Sequence, residues 1–351
     1  MNKVISIAGR AIGPDYPPYI IAEMSANHNG SLETAFRIIE AAKSCGADAL
    51  KIQTYRPDTI TLNSDLPDFR ISGGLWGGKT LYELYEWAHT PWEWHTPMFE
   101  YARKIGVTIF SSPFDPTAVD LLEDLNAPAY KIASFEAIDL PLIKYVAATG
   151  KPMIISTGMA DLEEIQEAVD AAQAGGCKEL AILHCVSGYP APAQDYNLRT
   201  ITDMQKRHGL VIGLSDHTLD NTTAIASVAL GASIIEKHFT LNRNGGGPDD
   251  SVSLEPAELS ALCRDSKTAW ASLGIVDYGR KSSEAGNVKF RRSLYAIRDI
   301  EAGEPLTAEN IRSVRPGYGL SPKHYTEVLG KTAAVKIPAH TPIHWEKLSD
   351  D

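Results

Sequence analysis

The chain has 351 residues, 44% of them hydrophobic and 22% charged, the balance of an ordinary globular protein with room for one large domain and a small one. Its net charge of −11, with no Lys/Arg cluster, argues against a nucleic-acid partner, although a local positive pocket for a small anion stays open. No apolar run approaches the ~20 residues that span a bilayer, the N-terminus lacks a signal-peptide core, and the four cysteines have no CxxC spacing. The expectation is a cytoplasmic protein with reduced thiols and no membrane partner.

From residue 19 to about 273, short β-rich runs alternate with helix-period segments. The predicted strands are Tyr19–Glu23, Ala49–Gln53, Thr108–Ser111, Ala129–Ala133, Met153–Ser156, Leu180–His184, Val211–Ser215 and Ser233–His238. The predicted helices are Leu32–Cys45, Glu93–Ile105, Ala118–Leu125, Leu140–Thr149, Leu162–Ala174, Arg199–Arg207, Thr222–Leu230 and Pro256–Leu273. Ser31 with Thr34 reads as the first helix's N-terminal cap, and Gly46, Gly106, Gly150 and Gly231 follow helix ends. Eight such units predict an α/β fold of the (β/α)8 TIM-barrel type over residues 1–274. An open doubly wound sheet is disfavoured, because the turn after the first strand is polar rather than GxGxxG. The triple glycine Gly245–Gly247 suggests only a flexible loop.

Two stretches fall outside the repeat. Tyr55 to about Thr90 is too long for a bare connection and reads either as a surface excursion or as a lid or specificity loop. Residues 275–290 read as a polar linker, and 291–351 as a compact module too small to be very stable alone.

In a barrel, the active site forms where the strands end. Two apolar runs stop at His217 and His238 in successive units, and a converging pair of imidazoles suits a divalent metal. Alternation points Lys51 and Gln53 inward on the second strand, and Lys131 inward on the fourth. A lysine inside a barrel needs an anion, either a buried Glu such as Glu23 or a small phosphorylated, carboxylated substrate such as phosphoenolpyruvate. Schiff-base chemistry is the competing use of a buried lysine, but it would not need the histidine pair. Ser111, Ser112, Phe114, Ser134, Glu136, Ser156, Thr157, His184, Ser187, Tyr189, Ser215, Asp216 and Glu236 complete the polar strand ends and their loops.

These residues resemble the sialic acid synthase family, the phosphoenolpyruvate-dependent nonulosonate synthases. The matching motifs run in order: Ile21-Ala22-Glu23 with Asn27-His28-Asn29-Gly30, Ala49–Gln53, Ala129–Ser134, Ile155–Met159, His184-Cys185, Gly213–Asp220 and Glu236–Thr240. Arg291–Tyr295 and Val314-Arg315-Pro316-Gly317 resemble the family's antifreeze-like (SAF) domain, over 291–351. Gly74-Leu75-Trp76, Leu81–Tyr85, Thr90–His95, Phe110–Phe114 and Ser134-Phe135-Glu136 are most similar to the pseudaminate-forming branch.

The resemblance implies condensation of phosphoenolpyruvate with 2,4-diacetamido-2,4,6-trideoxy-altropyranose and water, giving pseudaminic acid and phosphate with C–O cleavage. Legionaminate or N-acetylneuraminate synthesis is the near alternative. By resemblance, His217 and His238 bind the metal, manganese first, with magnesium or cobalt as alternatives. Lys51, Ser112, Lys131, Ser134, Ser156 and Ser215 hold phosphoenolpyruvate, with Ser187 standing where the neuraminate branch has Asn. Glu23, Glu136, Tyr189 and Asp249 address the sugar, and Arg315 reaches it from the partner of a domain-swapped homodimer. Glu23, Glu136 and a metal-bound water remain rival acid/base groups. Phe114, Phe135 and Trp76 could line a pocket for the 6-deoxy sugar, or could be core.

Overall fold

The structure, a computed structural model, describes residues 4–349. The chain divides into two compact units, one up to Gly274 and one from Ile275.

The first unit opens with an antiparallel hairpin, β1 (Ile5–Ile7) and β2 (Arg10–Ile12). Eight parallel strands then close into a barrel: β3 (Tyr19–Glu23), β4 (Ala49–Thr54), β5 (Thr108–Pro113), β6 (Tyr130–Ile132), β7 (Met153–Ser156), β8 (Leu180–Cys185), β9 (Val211–Asp216) and β10 (Ile234–His238), which pairs back onto β3. Around them run α1 (Leu32–Cys45), the short α2 (Pro57–Ile60), α3 (Leu81–Ala88), α4 (His95–Ile105), α5 (Pro116–Asp124), α6 (Leu140–Ala147), α7 (Leu162–Ala174), α8 (Arg199–His208), α9 (Thr222–Ala229) and α10 (Pro256–Leu273). The predicted TIM barrel is therefore the observed architecture, and every predicted strand and helix falls on an observed one.

Local chemistry explains the helix boundaries. Ser31 Oγ accepts from Thr34 N, and Gly46 at φ 89° closes α1 in the left-handed region. Asp161 caps α7 through Glu163 N and Glu164 N, with Glu164 returning the bond in a capping box.

The two-residue period of each strand sorts its side chains into two layers. Outward, Ile20, Leu50, Ile52, Ile109, Ile132, Ile155, Ile182, Ile212 and Leu214 pack against the helices. Inward, Tyr19, Ile21, Ala49, Phe110, Ile154, Ala181, Leu183, Val211 and Ile234 fill the lower barrel, sealed by Ile5, Ile7 and Ile12 of the hairpin. This hairpin was not anticipated; it is too short for its alternation to stand out from sequence. The next inward position on each strand lies above this apolar layer. It is occupied by Glu23, Lys51, Ser112, Lys131, Ser156, Cys185, Ser215 and Glu236, all buried.

Three loops differ from expectation in detail. The excursion after β4 contains α2 and α3, and its tip folds back through Ile71 N to Lys79 O (2.9 Å). The triple-glycine loop is pinned: Asp250 Oδ2 accepts from Gly247 N (2.8 Å) and Asn29 Nδ2 (2.9 Å), and a Cβ on Gly247 would sit 1.8 Å from Asn29 Oδ1. The stretch expected to be a linker carries exposed 3-10 turns over Ser282–Phe290.

The second unit pairs β11 (Ser293–Ala296) with β12 (Ile311–Val314) around a small core of Leu294, Ile300, Leu306, Ile311, Val328, Ile337 and Ile343.

Gly213 tests the barrel packing. A Cβ there would meet Ile234 O at 2.5 Å and Leu183 Cδ2 at 2.6 Å, so Gly213→Ala must force β9 from its neighbours. We expect a loss of about 1–3 kcal/mol in chemical denaturation; full wild-type stability would contradict this strand contact.

Candidate active site

The upper barrel holds four buried ionisable groups in one chain of contacts. Lys51 Nζ lies 2.7 Å from Glu23 Oε2 and 3.7 Å from Glu236 Oε1, and Lys131 Nζ lies 3.2 Å from the same Glu236 oxygen. Strand register brings them together: Glu23 pairs with Lys51 across β3–β4, and Glu236 lies beside Ser215 across β9–β10. Glu236 sits between two ammonium groups; burial would push it up, but Lys131 and Lys51 outweigh this and hold it low. Burial pushes Glu23 up, opposed by Lys51 and aided by the charge of Glu236. Burial pushes Lys131 down, while Lys51, opposed by burial but flanked by two carboxyls, is held up. Glu236 is thus the ionised partner and Glu23 the carboxyl driven toward neutrality.

Hydroxyls surround this chain. Lys51 donates to Ser112 Oγ (3.2 Å), and the buried Ser156 Oγ and Glu236 Oε2 have no hydrogen-bond partner. Ser134 Oγ accepts from Gly158 N (3.2 Å), and a Cβ on Gly158 would lie 2.1 Å from Ser187 Oγ. Ser134 and Ser187 therefore converge over one glycine that cannot carry a side chain. Two lysines, free hydroxyl capacity and a bare backbone suit a small multiply charged anion.

His217 and His238 face one another with ring centroids 5.5 Å apart. His217 Nδ1 lies 2.7 Å from Val186 O; a carbonyl only accepts, so Nδ1 carries a hydrogen, and in the neutral ring Nε2 is the nitrogen that keeps a lone pair. Burial would push His217 down, but its contacts with Cys185 and Val186 outweigh this and lift it. His238 is pushed well down by burial and by the positive charges of His217 and the lysines; its Nδ1 is buried without a hydrogen-bond partner. The pair fits a divalent ion completed by water or substrate oxygen, since among the described residues no third His, Cys, Asp or Glu joins a preformed ligand set.

Tyr189 covers the pair, 4.3 Å from the His217 ring and 5.8 Å from His238, and Trp76 packs on Tyr189 at 5.6 Å. Trp76 Nε1 donates to Pro248 O (2.9 Å), which ties the tip of the excursion over the mouth. Asp249 lies behind His238, its Oδ2 4.0 Å from Nδ1 and accepting from Ser25 Oγ (2.5 Å). To one side, Thr59, Ile60, Phe114, Phe135, Glu136 and Ile138 line a cavity of about 480 Å³. Phe135 is 57% exposed there, which excludes it from the core. Burial pushes the Glu136 carboxyl up to about 7, and its Oε2 has no partner.

The structure thus gathers every expected site residue of the barrel at one rim. Arg315 belongs to the second unit, at the end of β12. His184, at the end of β8, turns instead to the Tyr196 carbonyl, and Cys185 takes the inward position. Gln53 and Glu236 were expected at the inward strand ends but were assigned no role, and Ser25 was not anticipated. Alternation places Glu236 and Gln53, whereas Ser25 is set by its loop and meets Gln53 Nε2 at 3.0 Å.

A family model described as the NeuB family matches residues 38–278, and one for the SAF domain matches residues 291–349. The chain belongs to the NeuB family. It is 45% identical to the pseudaminic acid synthase of Campylobacter jejuni over 92% of this chain and 94% of that protein. The N,N'-diacetyllegionaminic acid synthase of the same species is 36% identical over 90% of this chain and 95% of its own length. Among solved structures, the N-acetylneuraminic acid synthetase of Leptospira borgpetersenii superposes with a TM-score of 0.72 at 30% identity, covering 82% of this chain and 96% of that one.

The lysine–glutamate chain makes Glu236 structurally costly to remove. Glu236→Gln leaves Lys131 without its nearest anion, and we expect a loss of about 3–5 kcal/mol in urea unfolding. An undiminished midpoint would show that Lys131 is satisfied otherwise.

Proposed function

We propose that this chain is a phosphoenolpyruvate-dependent synthase that condenses phosphoenolpyruvate with 2,4-diacetamido-2,4,6-trideoxy-β-L-altropyranose and water, giving pseudaminic acid and phosphate. The observation that carries this reading is the meeting of two buried lysines with two facing imidazoles at one barrel mouth. The greater identity to the pseudaminic than to the legionaminic acid synthase, 45% against 36%, supports the choice of sugar. The cavity beside Phe114 and Phe135 supports it too, because a 6-deoxy sugar presents a methyl group where others carry a hydroxyl.

In this scheme Lys51 and Lys131 pair with the phosphate and carboxylate of phosphoenolpyruvate, and Ser112, Ser134, Ser156, Ser187 and Ser215 donate hydrogen bonds around them. His217 and His238 would hold a divalent ion, manganese first, which supplies Lewis-acid polarisation of the sugar's C1 carbonyl. C3 of phosphoenolpyruvate forms the new bond to C1, leaving oxocarbenium character at C2. Water adds at C2, and the tetrahedral carbon then expels phosphate with its bridging oxygen. Glu136, pushed up to about 7 by burial and so still partly protonated near neutral pH, is the better donor to the nascent C1 hydroxyl, since Glu23 is already engaged by Lys51 and Gln53. Tyr189, Asp249 and Trp76 close the mouth against bulk water. The working form in this reading is a cytoplasmic, domain-swapped homodimer in which Arg315 of the partner subunit completes the sugar site. No helix among the described residues is long and apolar enough to cross a membrane.

Phosphate release from phosphoenolpyruvate should be fastest with the altro-configured sugar, at least tenfold slower with the legionaminate precursor or N-acetylmannosamine, and abolished by EDTA. Preference for another sugar would reassign the substrate, and in 18O-water, label in the phosphate would overturn C–O cleavage.

Glu136 also predicts a pH dependence. Its folded value of about 7 exceeds the ordinary 4.5, so between them the folded state binds more protons than the unfolded chain. Stability contributed by the neutral carboxyl is full below 4.5 and is lost as pH rises through about 7. Glu136→Gln should flatten that slope in thermal melts, and should remove the limb near 7 from the kcat profile. An unchanged profile would transfer the proton donation to another group.

A further inference from the structure

The outer face of the two histidine-bearing strand ends carries a second buried ion pair, between Lys237 of β10 and Asp216 of β9. The two residues pair in register, and each immediately precedes one of the histidines. Lys237 is 2% exposed, and its ammonium spends three donors on three strong acceptors. These are Asp216 Oδ2 (2.8 Å), Thr218 O (2.7 Å) and Asp220 O (2.7 Å). Asp216 in turn accepts from Thr218 N (2.9 Å) through Oδ1 and from Thr218 Oγ1 (3.1 Å) through Oδ2. The segment from 216 to 220 is therefore wound around one lysine head. His217 lies inside that winding, its own N–H donating to Tyr196 Oη (2.6 Å).

Alternation places Ser215, His217, Glu236 and His238 on the inner face and Asp216 and Lys237 on the outer one, so Lys237 touches neither the anion pocket nor the space between the imidazoles. We propose that Lys237 is a positioning residue: by tying Asp216, Thr218 and Asp220 to the strand that carries His238, it fixes the separation and orientation of the two imidazoles. This rests on the reading of His217 and His238 as the ligands of a divalent ion. It adds that their geometry is imposed from behind, across two strands, by a side chain outside the site.

The test compares Lys237→Met and Asp216→Asn with the wild type in the full-length protein, by three measurements. Mn2+ affinity is read by electron paramagnetic resonance, phosphoenolpyruvate affinity by fluorescence quenching, and the tautomer of His217 by 15N-edited NMR, with its signal assigned from His217→Gln. The expected result is a Mn2+ Kd raised about 10–100-fold in both variants. Phosphoenolpyruvate affinity should stay within threefold, and the His217 Nδ1–H signature should be weakened or lost. Unchanged Mn2+ affinity and an unchanged His217 signature, with only a lower melting temperature, would reduce the pair to a structural brace and overturn the proposal. An equal loss of phosphoenolpyruvate affinity would also overturn it, by placing Lys237's influence on the anion pocket. If Lys237→Met does not fold, Asp216→Asn, which keeps the lysine and both carbonyl bonds, decides by the same readouts. If the wild type binds no Mn2+, the metal reading fails, and the His217 signature alone decides whether Lys237 orders the pair.

Discussion

The site depends on a buried chain of alternating carboxyl and amino groups, Glu23–Lys51–Glu236–Lys131, closed inside the barrel. Four ionisable groups in such a place are tolerable only because each ion meets an opposite one. The arrangement holds two lysines at the level of the strand ends, and it leaves the Ser156 hydroxyl and Glu236 Oε2 without partners. An arriving anion is thus met by groups already desolvated and already oriented. The rest of the barrel serves this layer: the apolar inner core beneath it and the hairpin that seals the base keep water from reaching it from below.

The histidine pair is held by a different logic. Its two rings come from neighbouring strands, and their spacing follows from strand separation and from what grips each loop. Val186 fixes one ring through its carbonyl, Tyr196 holds the backbone of the same residue, and Tyr189 packs across both rings. Trp76 and the pinned glycine loop then close over this cluster, so a segment outside the eightfold repeat becomes part of the rim. The mouth has two parts. The charged layer and the imidazoles lie at the barrel axis, while the aromatic cavity with Glu136 lies to one side.

Much of this was legible because a closed parallel barrel obeys strict alternation. Lys51 and Lys131 each lie between two apolar residues, and Glu236 lies two positions after the inward Ile234, so their inward direction follows from two-residue periodicity. Less was legible where loops decide direction. His184 ends its strand as His217 and His238 end theirs or nearly so, yet it turns outward to Tyr196 because it sits one position out of phase, and Cys185 points inward instead. The triple glycine suggested freedom, but one carboxylate, Asp250, fixes it, and local sequence gives no sign of such a distant partner as Asn29.

Sequence by itself determined the strand and helix order, the barrel class, the layer of charged residues at the strand ends and the family the chain belongs to. All of these follow from local periodicity and from motifs read in order. Only the tertiary structure decided which carboxylate meets which lysine, that Glu236 rather than Glu23 lies between both, and that Lys237 backs the histidines from outside. Those pairings join residues as far apart as Lys51 and Glu236, and their distances come from strand register and barrel closure, which no window of sequence contains.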